Sequence, residues 1–466
     1  MNSTSPFVLR RERLRQLLPH GLVVLGGHPQ LPMNLPMNLS PARQSSHILF
    51  LTGLQEVECA MLLRLDSGRL ELFLPEKEEG DDIWHGPTPS YQETAVAHGA
   101  DAAYALSGLE ARIQHHQATG GGPLYSLANA DPAWRARMQA LGLELGAFGR
   151  HNRYEPNPLA DAMIAIRLCQ DEVALQEMRK AASLAAEVHR LAMRATAPGG
   201  SEAQLRALME GCFMSAGVRP SYTPIVTVRG EILHCRANPY TLQADQLLLA
   251  DVGCETPAGY ASDITRVWPV RGSFDSRQRD IYEVVLEANQ CCIEKLAAGR
   301  EYKEIHLLAC LKIAEGLRDL GLLRGHPEEL VERDAHALFF PHGVGHLLGL
   351  DVHDLEDLGD RAGYGPDRVR STRFGLAWLR LNRKLETGMV VTIEPGIYFI
   401  PGLLNDARRV ELYNDCVNFD KARQYLGMGG IRIEDDVLVT ANGSEVLTSD
   451  APKSVAAVEA EVGAEL

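Results

Sequence analysis

Apolar residues follow two rhythms along this chain. In roughly the first 155 residues they form runs of strand length: Val23 to Leu25, Ile48 to Leu51, Ala60 to Leu63, and Leu70 to Leu74. A helix-like pattern from Arg10 to Leu18 precedes them. The tandem Leu31-Pro32-Met33-Asn34 and Leu35-Pro36-Met37-Asn38 predicts a loop, because two copies of so short a unit cannot build a repeat architecture. Gly146 to Pro158 carries Gly, Asn and two prolines, which places a domain boundary there. The pattern therefore predicts an N-terminal α/β domain over residues 1–157 and a second domain over 158–466.

The second rhythm is helical. From Asp171, the residues Leu175, Met178, Ala182 and Ala185 recur at three- and four-residue spacing. Another helix is predicted from Asp275, with Gln278 completing a capping box and Ile281, Val285, Ala288 and Cys292 forming the apolar stripe. Strand patterns lie at Ile225 to Val228, Leu247 to Val252, Ile264 to Val270, Met389 to Ile393 and Ile431 to Leu438. Helices and strands without strict βαβ alternation predict an α+β layer fold for this half.

Composition narrows the class. The chain has 466 residues, of which 45% are hydrophobic and 23% charged, the balance of a soluble globular protein. No run of about 18 uncharged apolar residues is present to cross a bilayer, and the N-terminus turns basic too early for a secretory signal. A net charge of −15 argues against coating nucleic acid. Nine cysteines without a CxxC pair read as reduced thiols, so a cytoplasmic location is expected.

Four acids stand where folding alone would not put them. Asp251 ends an apolar run, Asp263 opens the next strand, Glu394 follows Met389 to Ile393 and is stopped by Pro395-Gly396, and Glu434 lies in Ile431-Arg432-Ile433-Glu434. With a period of two, Arg432 and Glu434 share one face of that strand. Any one of these acids is ordinary turn chemistry. Burying all four costs several kcal/mol each, roughly, unless cations offset them, and Arg432 offsets only one.

The second constellation is histidine. His342, His346 and His353 fall within twelve positions, punctuated by glycines that permit close backbone approach. Four carboxylates and one imidazole balance two divalent ions, and an oxygen-rich set favours Mn²⁺, Mg²⁺ or Ca²⁺. Two such ions roughly 3.5–4 Å apart can share and acidify one water, so hydrolysis is the expected chemistry.

These motifs resemble the proline-specific metallopeptidases, the aminopeptidase P and prolidase group with the pita-bread catalytic fold. The resemblance rests on Asp251-Val252-Gly253 with Asp263-Ile264-Thr265-Arg266, on the stretch from His342 to Asp354, on Glu394-Pro395-Gly396-Ile397-Tyr398, and on Gly430 to Asp435. It covers about Asp171 to Thr440, and more weakly the N-terminal domain, through Gln44 to Gly53. Several motifs in the family's order make it specific.

The resemblance implies an N-terminal domain of the aminopeptidase P type ahead of a pita-bread (creatinase/aminopeptidase-like) domain. It implies two divalent metal ions, with Mn²⁺ preferred. Asp251 would bind one ion, Asp263 and Glu434 would bridge both, and His346 and Glu394 would complete the other. Glu394 would also be the general base, His353 would stabilise the scissile carbonyl oxygen, and His342 and His234 would hold the proline side. Arg432 would orient Glu434 and its neighbours, with Tyr398 as a further partner. Trp84 resembles a tryptophan that reaches a neighbouring subunit's site, and a homodimer or homotetramer is expected.

Two enzymatic readings stay open: an Xaa-Pro aminopeptidase acting on proline-containing peptides, and an Xaa-Pro dipeptidase (prolidase). Longer intervals between Asp251 and Asp263, between His353 and Glu394, and from Pro401 to Met428 sit where substrate length could be set. A reading from another class is a non-enzymatic pita-bread binding module. Such relatives lose ligands, whereas all five candidates are present here. A methionine aminopeptidase would lack the long N-terminal domain.

Overall fold

The computed structural model describes residues 5–77, 79–143, 145, 157–235 and 239–465. Contacts divide the chain into two units. The first runs to Leu168 and also includes Leu355–Ala362; the second comprises Cys169–Asp354 and the chain from Gly363 onward. The expected boundary stretch from Gly146 lies outside the described residues up to Pro156. Among the described residues no helix is long and apolar enough to cross a membrane.

The first unit is built on a five-stranded mixed sheet. Its strands are β1 (Leu22–Gly26), β2 (Ala60–Arg64), β3 (Leu70–Leu74), β4 (Ala102–Ala105) and β5 (Leu124–Ser126), in the order β4-β3-β2-β1-β5. β1 and β3 are buried along their whole length, as near-continuous apolar runs require when both faces are covered. Leu22, Val24, Leu62, Phe73, Ile113, Trp134 and Met138 share one core. The tandem Leu-Pro-Met-Asn repeat is a loop, closed by a bridge between Pro32 and Leu39.

One expectation fails here. Ile48 to Leu51 is not a strand but the middle of a helix, Ser46–Thr52, buried along its length. A short apolar run covered on every side carries no periodicity to tell the two apart. The helix stops at Gly53, which is left-handed (φ 70°) and whose side chain, if it had one, would overlap the Phe7 ring. Its last carbonyls are taken up from outside: Arg10 donates to Phe50 O and Arg11 to Leu51 O. From the same helix His47 meets Asp357 at 2.8 Å and Arg167 at 3.0 Å.

The second unit combines long helices with small antiparallel sheets, the α+β organisation expected. The helix Glu172–Arg194 starts at the Asp171 cap and buries Leu175, Met178, Ala182 and Ala185. The helix Ser276–Lys295 starts with the Asp275–Gln278 capping box and buries Ile281, Val285, Ala288 and Cys292. The remaining strands are β6 (Arg219–Pro220), β7 (Ile225–Thr227), β8 (Leu247–Asp251), β9 (Cys254–Glu255), β10 (Thr265–Pro269), β11 (Val390–Ile393), β12 (Gly396–Tyr398), β13 (Gly430–Arg432), β14 (Asp435–Thr440) and β15 (Gly443–Val446). They assemble as β10-β8-β7, β11-β14-β15, β12-β13 and β6-β9.

The predicted strand Ile431 to Leu438 is therefore two strands. β13 pairs with β12 and β14 with β11, and the break falls at Ile433 and Glu434. The backbone there is bonded elsewhere: Ile433 N–H donates to Pro395 O and Glu434 N–H to Thr265 O. Directly after the break, the buried Asp435 accepts from Arg266 and from Lys453, each at 2.7 Å. Burial works to raise the Asp435 carboxyl, but these two cations hold it well below the usual aspartate range.

Candidate metal centre

Strand ends deliver the acids to one place. Asp251 closes β8, with Thr265 of β10 opposite it. Asp263 lies two residues before β10, and Val252 N–H donates to Ile264 O to close the intervening hairpin. Glu394 follows β11, and its N–H donates to Val344 O, while Thr392 N–H donates to His346 O. These two bonds lay the histidine segment against β11 and bring His346 beside Glu394. The approach requires Gly345, whose φ is +156° and whose Cβ would overlap the Thr392 carbonyl.

The side chains then converge. Ligand atoms of Asp263, His346 and Glu434, all buried, lie within 4.8 Å of one another. His346 Nε2 is 3.5 Å from Asp263 Oδ2 and 3.8 Å from Glu394 Oε1. Asp251 joins through Tyr222, whose phenol oxygen is 2.6 Å from Asp251 Oδ1 and 2.6 Å from Asp263 Oδ1. Arg432 Nη2 donates to Asp251 Oδ2 at 2.5 Å. His346 Nδ1–H donates to Leu347 O at 3.0 Å, which leaves Nε2 facing the acids.

The electrostatics of this cluster favour a cation. Burial, the largest cause, pushes Glu394 up to about 7. Burial also raises Asp263, with Asp251 adding to the push, and raises Glu434 well above the ordinary glutamate value, helped by Asp263 and Glu394. Burial acts to lower His346, yet Asp263 and Glu394 raise it overall. Carboxylates held this close repel one another, and four carboxylate groups with one imidazole nitrogen are the donor set that divalent ions of oxygen-seeking character take. Among the described residues no cysteine belongs to the cluster. The donor chemistry fits the expected metal pair.

The other predicted residues fall into two groups. His342, Tyr398 and Arg432 form a chain: Arg432 Nη1 donates to the Tyr398 hydroxyl at 3.0 Å, and Tyr398 donates to His342 Nε2 at 2.8 Å. His342 Nδ1–H donates to Gly343 O, so both ring nitrogens are engaged. Burial, with Arg432 adding to it, lowers His342 to about 3, and the ring is neutral. Arg432 reaches Glu434 only at 4.0 Å, and Thr265 spans that gap: its hydroxyl donates to Glu434 Oε2 at 2.5 Å and accepts from Arg432 Nε at 3.0 Å. His353 is half-buried, with its ring 4.4 Å from that of His346, edge to face. His234 is exposed, in a turn. Trp84, in the first unit, is 73% exposed on a short helix with no buried residue.

Sequence reasoning missed Tyr222, Thr265, Asp436 and His189. Burial and three neighbouring acids raise the Tyr222 phenol well above its ordinary value. Asp436 is buried and accepts from the Asp263 backbone N–H at 3.1 Å. His189 Nε2–H donates to Val252 O at 2.9 Å, fixing the chain just after Asp251. Thr265 had a usable signal, since the period-two alternation that pairs Arg432 with Glu434 also pairs Asp263 with Thr265. Tyr222 had none.

Residues 176–441 match metallopeptidase family M24. Residues 7–122 match the aminopeptidase P N-terminal domain. A protein named probable Xaa-Pro aminopeptidase from Aspergillus fumigatus is 34% identical over 448 residues, covering 93% of this chain and 88% of that protein. The structure of Pseudomonas aeruginosa aminopeptidase PepP superposes with a TM-score of 0.81 at 32% identity, covering 99% of this chain and 98% of that one. Zinc-substituted Escherichia coli aminopeptidase P in complex with product superposes with a TM-score of 0.79 at 28% identity, covering 98% of each chain.

Proposed function

The chain belongs to metallopeptidase family M24, and from that premise we propose that it is a metallo-exopeptidase that removes the N-terminal residue from peptides whose second residue is proline. One observation carries the reading: buried Asp263, His346 and Glu434 lie together, with half-buried Asp251 linked to Asp263 through Tyr222 and half-buried Glu394 beside His346, although the five are scattered over the second half of the chain. An Xaa–Pro bond is a tertiary amide with no N–H, so a site for it must read the ring and the bend of the chain.

These five residues would hold two divalent ions, which supply the Lewis acidity that polarises a carbonyl and acidifies a water. Manganese suits a set dominated by carboxylates. Glu394, partly open to solvent, would take a proton from the attacking water. His353, beside His346, donates to the scissile carbonyl oxygen as charge develops there. His342 is neutral and edge-on to Phe340, so it offers the proline ring an apolar wall and not a charge. His234 completes the proline side. Arg432, Thr265 and Tyr398 hold the acids and His342 in register.

The reading extends to a two-domain organisation, residues 1–157 and 158–466, and to a homodimer or homotetramer in which Trp84 reaches the site of a neighbouring subunit. The nine free cysteines support a cytoplasmic location. The deciding experiment strips metal with a chelator, restores Mn²⁺, and assays Arg-Pro-Pro beside the dipeptide Gly-Pro. Cleavage of the tripeptide supports an aminopeptidase. Cleavage of the dipeptide alone makes the protein a prolidase, and no turnover with any divalent ion makes it a binding module.

A further inference from the structure

The segment that carries His234 is tied at both ends to one buried side chain, Glu202. Glu202 is the first residue of the helix Glu202–Ser215 and is fully buried. Its carboxylate accepts from Val228 N–H at 2.7 Å, from the Thr227 hydroxyl at 3.0 Å and from Tyr240 N–H at 3.3 Å. Its own N–H donates to Tyr240 O. One acid thus grips the chain six residues before His234 and six residues after it.

The grip extends to the residue next to His234. Cys235 is buried, with its sulfur 3.7 Å from the same Thr227 hydroxyl. Thr227 also accepts from Arg229 N–H at 3.0 Å, and Cys235 N–H donates to Ile232 O, which closes the turn that contains His234. The turn lies against the strand that bears Arg432: a Cβ at Gly230 would stand 2.7 Å from Gly430 O. A fully buried carboxylate is a costly way to hold a loop, and apolar packing would serve if only folding were at stake. What it adds is directional control over both ends at once.

We infer that Glu202 is a positioning residue for His234, acting on affinity for the proline side of the substrate. The inference rests on the role given to His234 above. Glu202→Ala leaves two backbone N–H groups and one hydroxyl without their acceptor. It should raise KM for an Arg-Pro-Pro substrate about tenfold while kcat stays within about threefold. Metal content should not change, since the five ligands are untouched. Glu202→Gln, which keeps one acceptor oxygen but turns an amide N–H toward Tyr240 N–H, should give an intermediate KM and covers the case in which the alanine variant fails to fold.

The test is a cycle with His234→Ala in the manganese-loaded protein. KM raised by each single change, with no further rise in the double variant, is the expected result. A rise on His234→Ala with none on either Glu202 variant overturns the positioning role and leaves the reading of His234 intact. So do effects that multiply, or a fall in kcat or bound metal in place of a KM change. An unchanged KM on His234→Ala overturns the reading of His234 itself, and the positioning role with it.

Discussion

The phenol of Tyr398 donates to Nε2 of His342 across 2.8 Å. With Nδ1–H already given to Gly343 O, the ring is fixed as a neutral acceptor, and it cannot serve as a proton donor at Nε2. Tyr398→Phe removes that bond and the acceptor for Arg432 Nη1 together. We expect kcat/KM to fall by about ten- to a hundredfold, with little change in melting temperature because the ring stays packed. Steady-state kinetics beside a thermal melt checks this, and an unchanged kcat/KM would reduce Tyr398 to packing.

Glu394→Ala should lower kcat by about a hundredfold to ten-thousandfold, the range of a lost general base, while circular dichroism shows the fold intact. Retained turnover would remove Glu394 from that role. Asp263→Asn should lower bound metal as read by elemental analysis, and unchanged stoichiometry would contradict a bridging carboxylate.

Without metal, the acids of the cluster should cost the protein stability as pH rises. Glu394, Asp263 and Glu434 have folded values raised above their unfolded ones. Groups of this kind stabilise the fold fully below the ordinary carboxylate range, and that contribution is lost as pH climbs through the raised folded values. For Glu394 the loss runs from the ordinary glutamate range to about 7. Histidines whose values burial lowers, His342 and His189 among them, oppose this trend in acid, so the contrast to measure is the gain from metal: Mn²⁺ should raise the melting temperature of chelated protein more at pH 8 than at pH 5. An equal gain at the two pH values would contradict the crowding of these acids.

Asp435 behaves in the opposite sense. Its folded value is depressed by Arg266 and Lys453, so its contribution is present above the unfolded aspartate range and fades as pH falls toward the folded value. Asp435→Asn leaves Arg266, itself fully buried, without its counter-charge and should cost about 3–5 kcal/mol near neutral pH. Denaturant titration of the variant and parent should show that difference shrinking in acid.

Much of this site could be read from the chain, and the reason is physical. An acid directly after an apolar run, as at Asp251 and Glu394, has no folding reason to be there, and the structure puts such acids together. Strand alternation placed Arg432 and Glu434 on one face, and both turn to the cluster while Ile431 and Ile433 are buried behind it. What stayed hidden depends on partners remote in sequence. Ile48 to Leu51 is a helix because Arg10 and Arg11, about forty positions away, take up its terminal carbonyls. Ile431 to Leu438 splits because Pro395 and Thr265 claim the backbone at the break. Tyr222 earns its place only from the two carboxylates that bracket it, which no local pattern announces.

That break at Ile433 and Glu434 has a consequence for how the protein fails. The same few residues end one two-stranded ribbon and begin another sheet, and a proposed ligand sits at the joint. Neither sheet can open at the joint without displacing Glu434, so in the metal-loaded protein heat inactivation and melting of the second unit should coincide.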